Sequence, residues 1–246
     1  MGADMRKHII IIMCMFVIIC MSGCGKKEEK KEENKGTQIS IDGFDIVIFD
    51  VQVNEDSKTV QLKAAYSENG GLPENSDKVF QSIGPCQLFR LEQEKDRYVG
   101  IYRGWYNEIS EIEDIQINKA GKQEIESAGN YHIEKIKKID AWKDTLEYNG
   151  VEIEVVITPF SVSVMPAEDW IGEKEYYALN AVMKNQEVKR VVCLPTMKNP
   201  MRKDDVSYLG GGMSIGMELE HGGIVFYVNE DNIDIEQIES VEIESY

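Results

Sequence analysis

Histidine is scarce in this chain, with three among 246 residues. His8 lies beside an N-terminal apolar segment, so only His132 and His221 remain for the body. That is too few for a zinc site unless Cys86 and Cys193 converge with them. Long apolar runs are also missing: the longest, Ile9 to Ile19, has eleven residues and reaches Met21 before Ser22-Gly23 stops it. A membrane helix needs roughly 20 apolar residues, so an uncleaved spanning anchor is not expected. Basic excess is absent, with 27 Lys and Arg against 44 Asp and Glu. Nucleic-acid binding and a close hold on anionic lipid both need basic patches, and neither is expected. No long amphipathic helix and no alternation of strands with helices appears in the body, which removes the doubly wound folds.

What is present begins with an order of parts. Arg6 and Lys7 precede the apolar segment, and small residues follow it, which is the layout of a secretory signal. Its closing tetrad Met21-Ser22-Gly23-Cys24 resembles the lipobox of bacterial lipoproteins of Gram-positive type. In that family a small residue precedes a cysteine that is lipidated and becomes the mature N-terminus; Gly23 and Cys24 match, and Met21 stands where Leu is usual. The resemblance implies a diacylglyceryl thioether on Cys24, lipidation as the one site chemistry, and a place on the outer face of the cell membrane. Two acyl chains suffice for stable anchoring where one is marginal. Cys14 and Cys20 would leave with the signal, so Cys86 and Cys193 would remain as free thiols or one bridge.

Gly25 to Gly36 reads as a tether. In Lys26-Lys27-Glu28-Glu29-Lys30-Lys31-Glu32-Glu33 like charges fall at i and i+4, which opposes an isolated helix. Twelve residues extend to about 40 Å. Removing Arg6, Lys7 and the tether's five lysines, and Asp4 and the tether's four glutamates, leaves 20 basic and 39 acidic residues, a body near −19. Such a body suits solubility outside the cell or cationic partners.

Internal similarity divides the body. Gly43-Phe44-Asp45-Ile46 matches Gly150-Val151-Glu152-Ile153 at an offset of 107, which also carries Cys86 onto Cys193. Tyr98-Val99-Gly100 falls 110 residues before Tyr208-Leu209-Gly210, and Ile133, Ile136 and Ile139 lie 102 before Ile235, Ile238 and Val241. Ile109, Ile112, Ile115 and Ile117 offer a rival to that last match. Equal copy length favours the former, and with it a tandem duplication.

Both copies have strand periodicity. Val60, Leu62, Ala64 and Tyr66 recur every second residue, as do Val151, Ile153, Val155 and Ile157, then Ile224, Phe226 and Val228, then Val241 and Ile243. Asn69-Gly70-Gly71-Leu72-Pro73, Gly210-Gly211-Gly212 and His221-Gly222-Gly223 punctuate them. Asp140 to Tyr148 is expected as a short helical connection with Trp142 as its plug. Pro159 cannot donate to a ladder, so its strand should be an edge or change sheets there. The expectation is all-β: signal peptide 1–23, lipidated Cys24 and tether 24–36, then two tandem antiparallel immunoglobulin-like β-sandwich domains, 37–142 and 143–246. Gly150 to Val164 also loosely resembles the opening strand of extracellular modules in uncharacterised lipoproteins and sigma-factor-regulator-like membrane proteins.

For chemistry, Gly212-Met213-Ser214-Ile215-Gly216 has the spacing of a nucleophile elbow, where serine sits on a strand-to-helix turn. Only 30 residues follow Gly216, and His221 is followed at once by Gly222-Gly223, so a glycine-rich hairpin is the expected reading. Asn229, Glu230, Asp231, Asn232 and Asp234 gather oxygen ligands without the spacing of an EF-hand loop. Trp105, Tyr106, Trp170, Tyr176 and Tyr177 stand at expected loops or strand ends, where amphipathic rings can bind sugars or peptides, or else fill a core. No cofactor is implied. The partners expected are the membrane, through Cys24, and a protein or cell-wall ligand. The function is binding without catalysis, with an envelope sensor acting through a membrane partner as the alternative and a Ser214 hydrolase as the second.

Overall fold

Period-two patterning produces paired strands, and the computed structural model contains seventeen of them among the residues it describes. Those residues are 36–41, 44–74, 79–118, 127–148, 151–165, 177–194, 209, 213–218, 223–229 and 233–245. Residues 1–35, which hold the expected signal, Cys24 and all of the expected tether but Gly36, lie outside them. The fold is all-β and antiparallel, with one parallel pair and only short helical turns.

The first half holds β1 (Thr37–Ile41), β2 (Phe44–Asn54), β3 (Thr59–Glu68), β4 (Ser82–Ile83), β5 (Cys86–Gln93) and β6 (Tyr98–Trp105). A one-turn helix α1 (Ser110–Glu113), then β7 (Asp114–Asn118), β8 (Ser127–His132) and β9 (Ile136–Lys138) complete it. These nine strands form one sheet in the order β1-β2-β3-β6-β5-β4-β7-β8, with β9 parallel to β2. The path curls nearly into a barrel, and Thr37 Oγ1 on β1 donates to His132 O on β8 at 3.2 Å. Two stacked sheets were expected here. One continuous sheet results because the tight hairpin of β4 and β5 also pairs β4 with β7.

Strand β2 can serve two neighbours on one edge because it bulges. Asp50 takes φ 51° and the register shifts between Phe49 and Gln52. The residues before the bulge pair with β1, and Val51 to Val53 pair with β9. Inside the curl lie Ile46, Ile48, Val60, Leu62, Ala64, Tyr66, Ile83, Cys86, Tyr102, Ile115 and Ile117. The Asn69-Gly70 turn follows its chemistry, with φ 50° and 77° and mutual bonds between Glu68 and Gly71 at 2.9 Å. Positive φ at both central residues is the hairpin turn that Asn-Gly favours.

The second half holds β10 (Trp142–Tyr148), β11 (Val151–Ile157), β12 (Ser161–Met165), β13 (Tyr177–Met183), β14 (Val188–Leu194), β15 (Met213–Glu218), β16 (Ile224–Val228) and β17 (Ile238–Ser245). A 3-10 turn at Ile235–Gln237 leads into β17. Two sheets result, β10-β11-β12-β16-β15 and β14-β13-β17, around a shared core that includes Ile153, Val155, Val162, Leu179, Val191, Phe226 and Val241. Asp140 to Tyr148 is no helix: β10 pairs residue for residue with β11 from Trp142↔Ile157 to Tyr148↔Val151. Trp142 and Leu146 lie on one face and pack on the core, and Trp, Thr and Tyr favour the pleat. The overlooked signal is Asn149-Gly150 between partners, matching Asp42-Gly43 between Ile41 and Phe44.

Strand order repeats between the halves. The path β1-β2-β3-β6-β5 has its counterpart in β10-β11-β12-β16-β15, and β4 pairs β7 as β13 pairs β17. This supports the match of Phe44-Asp45-Ile46 with Val151-Glu152-Ile153. It favours the rival match at the other end, because Ile109, Ile112, Ile115 and Ile117 run from α1 into β7 as Ile235, Ile238, Val241 and Ile243 run from the 3-10 turn into β17. Ile133 instead precedes β9 and Ile136 opens it. Cys86 opens β5 whereas Cys193 lies in β14, so that pair does not occupy matching strands.

Candidate functional site

The densest buried polar chemistry lies where the halves meet. The outer face of β3 and β6 meets the outer face of β12 and β16 through Thr59 with Ser161 and Arg103 with Val228, and these strands are buried along most of their length, whereas β5 beside them is half-exposed. Gln61 and Arg103 are each 3% exposed, on the face opposite Leu62 and Tyr102. An arginine is almost never buried without partners, and Arg103 has several. Its Nε donates to Gln61 Oε1 at 2.7 Å, and an Nη donates across the seam to Val228 O. The guanidinium lies 4.2 Å from the Phe89 ring centre and 6.0 Å from that of Phe160, a cation–π arrangement strengthened by exclusion of water. Phe89 meets Tyr227 edge-on at 6.5 Å. Trp105 and Met165, half-buried, pack on Val225 and Tyr227.

Beside this clasp runs a chain of hydroxyls. Ser57 Oγ donates to Asn54 Oδ1 at 2.9 Å, so its contact with Thr59 Oγ1 at 2.7 Å must be donated by Thr59. Thr59 has then used its proton, and the 3.1 Å bond across the seam comes from Ser161 Oγ. Ser161 in turn accepts from Thr158 Oγ1 at 2.7 Å. Every proton points toward Asn54, whose Nδ2 donates to Ile139 O at 3.0 Å and so fixes the amide orientation. All five side chains are buried, and hydroxyls in such a place must be bonded. The chain ends on an amide and not on a base, so none of these hydroxyls is activated as a nucleophile. Ser163 Oγ, on the same face, is buried without a partner among the described residues. Lys143 reaches Asp56 at 2.5 Å, and Arg90 donates to Asn229 O at 3.4 Å, both also across the seam.

A second polar chain lies inside the first half. Tyr66 donates to Tyr102 at 2.5 Å and Tyr102 to Phe80 O at 2.7 Å. Burial pushes both phenols well above their usual range, and the Tyr102 hydroxyl raises Tyr66 further. Burial also raises the Cys86 thiol, which is free and wholly enclosed. An exposed pair joins His132 to Asp114, Nδ1 to Oδ1 at 2.9 Å. The bond to Asp114 raises the imidazole above its ordinary value, aided by Glu113 and Glu134.

The rings singled out from sequence are dispersed. Trp105 closes β6 at the seam. Tyr106 is 1% exposed, with its hydroxyl donating to Asn54 O at 3.2 Å, so it is a core ring instead of an exposed one. Burial, and then Glu55 and Asp56, push it up to about 12. Tyr177 opens β13 with its backbone paired to Leu194 and Ser245. Trp170, Tyr176, Cys24 and His221 lie outside the described residues, as do residues 230–232 of the oxygen-rich group. Ser214 sits within β15, its backbone opposite Tyr227, in a strand and not at a strand-to-helix turn. Among the described residues no group of three His, Cys, Asp or Glu side chains could hold a metal ion, and no helix is long and apolar enough to cross a membrane. Sequence reasoning missed Arg103, Gln61 and the hydroxyl chain; their signal was faint, polar residues where a strand's wet face was expected.

By fold class the chain is an all-β protein of antiparallel sheets. No protein-family model matches it, and no curated protein matches it. Among solved structures it is similar to the crystal structure of the conserved domain protein from Bacillus anthracis, at 10% identity over 89% of this chain and 92% of that one, with a TM-score of 0.39. A likeness at that level carries no argument.

Proposed function

We propose that this is a lipid-anchored extracytoplasmic binding protein that works without catalysis, held by Cys24 on the outer face of the cell membrane and carrying two tandem immunoglobulin-like domains. The observation that carries the reading is Met21-Ser22-Gly23-Cys24, followed by a like-charge tether and an all-β body. The two-sheet arrangement of 142–245 fits that domain type. In 37–138 the nine strands form one sheet that curls nearly into a barrel, and the part of the reading that concerns this half rests on its matching strand order. Buried polar groups between the halves hold them in one arrangement, which suits the presentation of a surface to a protein or cell-wall ligand.

Metabolic labelling with a clickable palmitate analogue tests the anchor. Label and membrane fractionation are expected for the wild type, and both should be lost in Cys24→Ala. A wild-type chain released unlabelled into the medium would sink the proposal. A glycan and peptidoglycan screen of residues 37–246 addresses the ligand. The alternative, an envelope sensor acting through a membrane partner, gains if a pull-down recovers a membrane protein and loses if it recovers only wall polymer. A hydrolase using Ser214 would show fluorophosphonate labelling that disappears in Ser214→Ala.

A further inference from the structure

The faces that meet at the seam belong to matching strands. In the first half the meeting face is that of β3 and β6; in the second it is that of β12 and β16, the counterparts of β3 and β6 in the repeated path. Thr59 opens β3 and Ser161 opens β12, and these two hydroxyls bond to each other. Arg103 of β6 bonds Val228 at the end of β16. An interface in which an element meets its own counterpart is the signature of two-fold, isologous association.

We infer that the seam is a two-fold-like joint, and that the partner which the β3–β6 face fits is a second copy of the same repeat. The inference rests on the tandem part of the reading above and not on the lipid anchor. The face has what self-association needs: a hydroxyl, Thr59, that accepts a bond from across the seam, and aromatic rings at its flank, Trp105 and Phe89, of the type enriched at interfaces. A charge at its centre is tolerated only because Arg103 lies offset from that hydroxyl and spends its donors on Gln61 and a backbone carbonyl. The connection between halves, Ile139 to Ala141, is three residues long and is fixed by Ile139 N to Val53 O at 2.9 Å.

The test uses the whole chain with a protease site inserted after the exposed Asp140. Cleavage is expected to leave the halves sedimenting together at the mass of the uncut protein, and folded halves that part on cutting would overturn the inference. The first half recovered from the cut protein is expected to refold as a homodimer. In Arg103→Glu that dimer should be lost, because a carboxylate cannot donate to the backbone carbonyl that Arg103 reaches across the seam. A folded first half that stays monomeric overturns the two-fold face while leaving the tandem reading standing. Where the isolated half does not refold, a tandem of two first halves decides, residues 36–141 followed by a second 36–138. Tumbling as one body by NMR relaxation supports the inference; independent tumbling, or failure to fold, overturns it. The Cys24 labelling experiment is independent of every one of these outcomes.

Discussion

Tyr66 and Tyr102 are the residues in which a buried polar group is most exposed to loss. Tyr102→Phe removes the donor to Phe80 O and the acceptor of the Tyr66 hydroxyl, leaving two buried groups unpaired at a cost of about 1–3 kcal/mol. Tyr66→Phe removes only a donor and leaves Tyr102 still bonded to Phe80, so urea unfolding should find it milder. Their ionisation gives a sign. A phenol whose folded value is raised keeps its proton where the unfolded chain releases it, so its stabilisation is complete below the ordinary tyrosine value of 10.0 and fades as pH climbs. For Tyr106 the fading runs from there to about 12. Unfolding followed against alkaline pH should therefore show stability falling above the ordinary tyrosine range, with tyrosinate absorbance rising in step with unfolding. The opposite sense holds at no pH for these groups. His132 gives a milder dependence: its raised value means stabilisation present below the ordinary histidine value of 6.5 and lost as pH rises through the folded value. Asp114→Asn should return the imidazole titration toward the ordinary value in an NMR titration.

At the level of elements, the close approach of β5 and β6 depends on a missing side chain. A Cβ on Gly104 would meet Cys86 Cα at 2.8 Å and Pro85 O closer still. Both are backbone, which cannot swing away, so Gly104→Ala should cost about 1–3 kcal/mol by overpacking in thermal unfolding. Gly71→Ala, whose Cβ would find Glu68 O at 3.8 Å, should be nearly neutral. The strands themselves were legible in the sequence wherever one face is apolar: Val60 to Tyr66, Val151 to Ile157 and Val241 to Ile243 all fall in strands. The misread segment, Asp140 to Tyr148, shows what periodicity misses, since Trp142 and Leu146 satisfy both i+4 on a helix and i+4 on a strand. The Asn149-Gly150 dipeptide was the arbiter. The correspondence in strand order was visible in the sequence at its start, in Phe44 to Ile46 against Val151 to Ile153, and misaligned at its end, because the second half carries β14 and the residues before β15 where the first has only the Gly84-Pro85 turn.

For the whole molecule, the joint was the illegible part. A strand's outward residues look alike whether they face water or another sheet when those residues are Gln61, Arg103, Ser161 and Ser163. Arg103→Met keeps much of the volume but drops the bonds to Gln61 and Val228. It should cost about 2–4 kcal/mol and split a single calorimetric transition into two, one for each core. A transition that stays single would show that the cores are coupled by other means. Thr59→Val, which interrupts the hydroxyl chain between Ser161 and Ser57, should act in the same direction with a smaller effect.

Thr37 is the first residue of β1, and its hydroxyl closes the curl of the first sheet against His132. Under the proposed anchoring at Cys24, the chain is also one that can be pulled. Any drag between membrane and ligand would then enter the body at Gly36 and Thr37, the end of β1 opposite to the Ile41↔Phe44 pair. Five residue pairs with β2, from Thr37↔Ile48 to Ile41↔Phe44, and the tight seat of Gly36 against the Ile48 carbonyl meet the load before either core feels it. Strand β1 is in that sense a mechanical fuse. Single-molecule pulling from residue 24 should register its detachment as the earliest extension step.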